Sequence, residues 1–146
     1  MPKAIRLPAL ITVLALVGSA CGGSDEGVSI DQPWARPTAA AQDTGAVYFT
    51  IVAAEEDSLI GVSVSAEVAG SAALHETSMD AAGVMMMSMV PSIEVPADGE
   101  VVFAPGGLHV MMRDLVEPLL DGASFEMTLV FAQAGDITVE VDVRDQ

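Results

Sequence analysis

Basic residues are scarce. Five Lys and Arg stand against 21 Asp and Glu, a formal net charge of −16. That balance excludes nucleic-acid binding, which depends on Lys and Arg displacing phosphate counterions. It equally excludes polybasic attraction to anionic lipid. Cysteine occurs once, so neither a disulfide framework nor a two-cysteine redox motif is available. Only two histidines are present, and no nucleophile stands with a base and an orienting partner, so the chain is not read as an enzyme. What the sequence has in plenty is apolar: 51% of its 146 residues are hydrophobic. That is enough to bury the core of one domain and too much for a disordered chain.

The N-terminus is organised differently from the rest. Lys3 and Arg6 precede an apolar run from Leu7 to Val17, shorter than the roughly 20 residues a bilayer-spanning helix needs. Small residues Gly18, Ser19 and Ala20 follow, and then Cys21, the sole cysteine. A positive start, a short apolar stretch and small residues describe an export signal over residues 1–20. The order of signal, small residues and Cys resembles the bacterial lipoprotein signal, which implies acylation of Cys21. Position 18 departs from that pattern, carrying Gly where an aliphatic residue is usual. Residues 21–27, rich in Gly, Ser and acid, read as a flexible tether. The chain from Cys21 onward carries −18. An exported domain held at the membrane by a lipid anchor is the expectation.

From residue 28 to 146 the pattern is β. Phe125, Met127, Leu129 and Phe131 alternate with more polar neighbours, as do Ile137, Val139, Val141 and Val143. Period two of this kind marks strands with one buried face. Ala134-Gly135-Asp136 between the two runs predicts a hairpin. Further strands are expected at 48–52, 59–64, 72–75 and 101–103, with turns at 55–57, 96–99 and 105–107. No sustained helical periodicity exists, although Arg113 to Leu120 is compatible with one short turn. The fold class expected is all-β, a sandwich or small Greek-key barrel.

Seven of the eight methionines after the initiator fall between positions 79 and 112, and His75 and His109 lie in or beside that window. A single Met in a core fills gaps. The run Met85-Met86-Met87-Ser88-Met89 sends thioethers to both faces of any strand, so filling does not account for all of them. Exposed thioethers outside the cytoplasm invite oxidation. Soft neutral thioether together with imidazole favours Cu(I). Zinc would recruit Cys or carboxylate beside His, and a blue-copper centre needs a thiolate inside the domain. His109-Val110-Met111 places an imidazole and a thioether on one face of an extended strand. Met79, Met89 and Met112 are spare soft ligands or core filler, with filler favoured for Met89. Glu76 and Asp80 either add negative potential near His75 or are solvated loop acids.

These residues carry a resemblance. Trp34-Ala35-Arg36-Pro37, Thr44-Gly45-Ala46-Val47-Tyr48, His75-Glu76-Thr77, Gly83-Val84-Met85-Met86-Met87 and Pro105-Gly106-Gly107-Leu108-His109-Val110-Met111 together resemble the periplasmic copper chaperone family PCu(A)C. The likeness covers nearly all of residues 28–143. The family pattern is His, ten residues, Met, twenty-one residues, His, one residue, Met. Met87 and His109 enclose 21 residues and His109-Val110-Met111 matches, while His75 and Met87 enclose eleven and His75 and Met86 the expected ten. A one-residue insertion at Ala81-Ala82 reconciles them, with Met87 as ligand and Met86 as the alternate. Trp34 and Arg36 match the family and read as structural rather than chemical.

The resemblance implies a cupredoxin-like β-sandwich binding one Cu(I) through His75, Met87, His109 and Met111. It also implies delivery of copper toward cytochrome c oxidase assembly. The receiver would be the oxidase copper subunit or a thioredoxin-like assembly factor, and the domain is expected to be monomeric. The competing reading is a metal-free interaction β-sandwich lipoprotein whose methionines form a core.

Overall fold

The computed structural model describes the backbone of Ser24–Asp25 and then residues 27–146. The export signal, Cys21 and the tether residues Gly22, Gly23 and Glu26 lie outside the described residues. Eleven strands form: β1 (Ser24–Asp25), β2 (Val28–Ala35), β3 (Thr44–Ala53), β4 (Asp57–Val64), β5 (Ala69–Met79) and β6 (Met85–Met89) come first. They are followed by β7 (Ile93–Val95), β8 (Gly99–Val102), β9 (Leu108–Leu115), β10 (Ser124–Phe131) and β11 (Gly135–Val143). The described residues contain no helix, and the fold is the expected all-β, cupredoxin-like one.

The strands hydrogen-bond in the order β6-β5-β9-β3-β2-β11-β10-β4-β7, with β1 on β2 and β8 on β3. The path curls so that β4 and β5, joined through the turn at 65–68, lie against one another without pairing. Strands β2 to β5, β7 and β9 to β11 each turn one face to a common interior, whereas β6 is exposed along its whole length. The core is built from the period-two residues expected to fill it: Met127, Leu129 and Phe131 of β10 and Ile137, Val139, Val141 and Val143 of β11 are all buried. Phe49 stacks on Phe103 with ring centroids 4.3 Å apart, a contact worth about 0.5–1.5 kcal/mol beyond its buried area.

β10 and β11 pair as the predicted hairpin, from Ser124↔Asp142 to Phe131↔Gly135. Its loop is tied to the start of β4 by one carboxylate. Asp57 accepts backbone N–H bonds from Ser58 at 2.7 Å, Gln133 at 2.9 Å and Ala134 at 2.9 Å. Burial by itself would push this carboxyl up, and the three donors outweigh it and hold Asp57 below the usual aspartate value.

Two features depart from the sequence expectation. Arg113 to Leu115 continues β9 rather than starting a helical turn. Ser71 and Thr44 flank Arg113 on either side, so the strand is held between β5 and β3 before Pro118 is reached. In β2, two residues, Gln32 and Pro33, stand between the paired Asp31 and Trp34, while on β3 only Phe49 stands between Thr50 and Tyr48. The extra residue is a bulge, and Gln32 takes a positive φ of 49° there. It reverses the alternation of β2: Val28 and Ile30 pack on the core before it and Ala35 after it. Trp34 therefore lands on the opposite face, paired with Tyr48 at a ring separation of 4.8 Å. That face carries the histidines.

Candidate metal centre

β5 lies between β9 and β6, and its register decides which side chains share a surface. Antiparallel partners directly opposite one another project to the same face. Across β5 and β9, His75 is paired with His109 and Ala73 with Met111. Across β5 and β6, His75 is paired with Met89, Thr77 with Met87 and Met79 with Met85. Across β9 and β3, Met111 is paired with Ala46, and Tyr48 and Trp34 continue the same surface. One sheet face thus collects both histidines and the thioethers of Met79, Met85, Met87, Met89 and Met111. The neighbours in sequence point the other way: Leu74, Val110 and Met112 are buried in the core cluster.

The two imidazoles sit side by side, with ring centroids 5.8 Å apart and planes inclined by 32°. Both are nearly buried, His75 at 7% and His109 at 5% exposure. A metal–imidazole bond of about 2.0 Å plus the roughly 1.1 Å from a ring's centroid to its nitrogen spaces two rings on one ion up to about 6 Å apart. The observed separation falls within that reach. Nδ1 of His109 lies 3.0 Å from the carbonyl oxygen of Gly107. A carbonyl only accepts, so Nδ1 donates and the lone pair of the neutral ring is on Nε2, the arrangement that orients metal-binding histidines. Gly106, at φ +85° in the turn before β9, allows the chain to reverse and brings that carbonyl to the ring.

Nδ1 of His75 is buried without a hydrogen-bond partner among the described residues. Such an atom costs free energy unless something occupies it. Burial, then the charges of His109 and Arg113, pushes the His75 imidazole below its ordinary value. The ring is therefore kept neutral, the form that ligates a metal. Burial raises the Tyr48 phenol, with Arg36 partly opposing the shift, so the aromatic wall beside the histidines stays uncharged. Among the described residues no three His, Cys, Asp or Glu side chains gather as a metal-binding group. The soft donors beside the histidines are thioethers.

The methionines divide sharply. Met112 is fully buried and Met111 half-buried. Met79, Met85, Met86, Met87 and Met89 are 53–69% exposed, so the run on β6 is not core and the Met-rich-core alternative has no such core to rest on. Core filling, favoured for Met89 from sequence, is corrected: Met89 is the most exposed of them, directly across from His75. The missed signal was alternation, since in a strand any face holding Met87 also holds Met85 and Met89. Met86 is paired with Ser78 and projects from the opposite face. Glu76, paired with Ser88, is also on that far face. Asp80 turns inward on its own loop, its Oδ1 accepting from the backbone N–H of Ala82 and of Val84, both at 2.9 Å.

Comparison with known proteins gives the family and the fold. The family model described as "Putative lipoprotein LpqE-like" matches residues 28–143. A protein of Rickettsia prowazekii, "Uncharacterized protein RP573", is 30% identical over 147 residues, covering 94% of this chain and 81% of its own length. The structure "Copper-bound PCuAC domain from PmoF2" matches with a TM-score of 0.69 at 30% identity, over 84% of this chain and 97% of that one. "Solution structure of CuI-DR1885 from Deinococcus Radiodurans" matches with a TM-score of 0.57 at 26% identity, over 82% of this chain and 80% of that one. The chain belongs to the LpqE-like family, and its β-fold is that of the PCuAC copper-binding domains.

Proposed function

We propose that this domain is a Cu(I) metallochaperone, holding one ion through His75, Met87, His109 and Met111. The observation that carries the reading is the registered pair of buried imidazoles with a thioether diagonal to it on either side. Met111 is two residues from His109 on β9, and Met87 is one pair along β6 from His75. Diagonal partners of this kind are about 7–8 Å apart, within reach of long side chains. The structural neighbours described as copper-bound and as the CuI form support both the metal and its oxidation state. Two imidazoles and two thioethers are all neutral, so the loaded site keeps a charge of +1 and offers no thiolate to oxidants.

The surrounding methionines favour transfer over storage. Exposed thioethers at the rim let a receiving protein form shared-ligand intermediates with the ion, whereas a closed thiolate cage would retain it. The lipoprotein family supports an exported protein anchored through acylated Cys21, with residues 1–20 as signal and 21–27 as tether. On this reading the domain works as a monomer outside the cytoplasm. It passes copper toward cytochrome c oxidase assembly, to the oxidase copper subunit or through a thioredoxin-like factor.

Competition for Cu(I) against a chromophoric chelator tests the binding claim. The wild-type domain is expected to withdraw one tight equivalent and the His109→Ala variant none. Failure of the wild type to compete would overturn the copper reading and leave an anchored β-domain with another purpose.

A further inference from the structure

We propose that the far end of the β5–β6 hairpin carries a second soft-metal site made only of thioethers, with Met79 and Met85 as its principal donors and Met87 as the third. The proposal rests on the chaperone reading in one respect, that Met87 is common to both sites.

Met79 and Met85 form the last registered pair of the hairpin. Directly opposed residues have Cβ atoms about 4.5–5.5 Å apart, and Met87, two residues along β6 on the same face, stands diagonally at about 7–8 Å. In each side chain two unbranched torsions place the sulfur, enough freedom at these spacings for the three sulfurs to turn toward a common ion. The fourth position of this face is the half-buried Thr77, directly across from Met87. None of the three is packing material: Met79 is 65% exposed and Met85 55%, in contrast to the fully buried Met112.

The loop that closes the hairpin is fixed. The Asp80 N–H donates to the Val84 carbonyl at 2.9 Å and the Gly83 N–H to the Asp80 carbonyl at 3.0 Å. The Asp80 side chain accepts two further N–H bonds across the same loop, and Gly83 supplies the φ of +81° that the turn requires. Met79 and Met85 are therefore held opposite one another rather than swinging free.

Thioethers without imidazole or carboxylate select soft monovalent ions, Cu(I) and its redox-inert analogue Ag(I), over hard divalent ones. The step that follows is ligand exchange alone. Cu(I) enters on Met79, Met85 and Met87, the bonds to Met79 and Met85 break, and bonds to His75, His109 and Met111 form while Met87 stays attached. No electron is transferred and no proton moves, because the donors are neutral throughout. The hairpin end thus acts as a landing site that feeds the histidine pair.

The test is titration of the full chain, in detergent and carrying Cys21→Ser so that no thiol competes, with Ag(I). Methionine ε-methyl and histidine ring resonances report where each ion binds. Two equivalents are expected: the first shifts the His75, His109, Met111 and Met87 signals, and the second, with Met87 already engaged by the first ion, those of Met79 and Met85. The Met79→Leu/Met85→Leu double variant is expected to lose the second equivalent and keep the first, and Met86→Leu to keep both. Unmoved Met79 and Met85 methyls at two equivalents, or a second equivalent surviving in the double variant, would overturn the proposal. Shifts at Met79 and Met85 with silent histidine rings would uphold the thioether site and overturn the histidine site instead.

Discussion

His75 and His109 are directly registered partners between β5 and β9, with their rings 5.8 Å apart. Neither strand carries another histidine, and each ring is nearly buried on a face that also holds Met111 beside it on β9 and Met89 and Met87 across β6. Replacing either ring by Ala removes one of two imidazole donors. Loss of an outer-shell partner alone costs about 10–100-fold in metal affinity, so loss of a ligand is expected to exceed that. Chelator competition with His75→Ala and His109→Ala checks it, and affinity within threefold of wild type for either variant would contradict the assignment.

The thioether donors are separable by strand parity. Met87 projects from the histidine face and Met86 from the opposite one, since Met87 is paired with Thr77 and Met86 with Ser78. Met87→Leu is expected to weaken Cu(I) binding, and Met86→Leu to leave it unchanged. Met89→Leu is the informative third variant because Met89 is level with His75. If Met89→Leu abolished binding and Met87→Leu did not, the ligand would move one pair along β6.

Stability and metal binding are expected to part at Asp57. Its three backbone donors fasten the β10–β11 loop to β4, and a hydrogen bond to a charged group contributes about 1.5–3 kcal/mol net, less than additively when several share one carboxylate. Asp57→Ala is expected to lower unfolding free energy by about 2–4 kcal/mol, measured by denaturant titration. Because the folded pKa is depressed, the carboxylate's contribution is present above the unfolded value, about 3.9, and is lost as pH falls through the folded one. Acid unfolding of wild type below pH 4 should therefore be steeper than that of Asp57→Ala. Equal acid profiles would sink the assignment.

Methionine itself plays two physical roles here, and stability measurements distinguish them. Met112 is fully buried, touching the space above Gly45, where its Cε would lie 3.2 Å from an added Cβ. Met112→Ala is expected to cost about 2–5 kcal/mol through transfer and cavity terms. Met86→Ala, at an exposed site, is expected to change stability by less than about 0.5 kcal/mol. A large loss for Met86→Ala would place that side chain in contacts the fold does not give it.

Much of this was legible in the sequence because alternation is a local signal. The β10 and β11 runs alternate so cleanly that strands, hairpin and buried face all followed from them, and the HxM step on β9 placed His109 and Met111 together for the same reason. The pairing of His75 with His109 was not legible. It depends on β5 crossing to β9 over more than thirty residues, a contact that only closure of the sheet specifies. The bulge at Gln32-Pro33 was equally hidden, since one extra residue reverses a strand's facing without disturbing its composition. Core filling was favoured for Met89, although its parity with Met87 put it on the histidine face.

The central claim is that one Cu(I) is held by imidazole and thioether together. X-ray absorption at the copper edge, on the domain loaded with a single equivalent of Cu(I), tests this most directly. The account predicts a first shell of two nitrogens at about 2.0 Å and two sulfurs at about 2.3 Å, distances ordinary for imidazole and sulfur on a borderline-soft ion. In Met87→Leu one sulfur should be lost while both nitrogens remain. A first shell of nitrogen and oxygen without sulfur would contradict the claim.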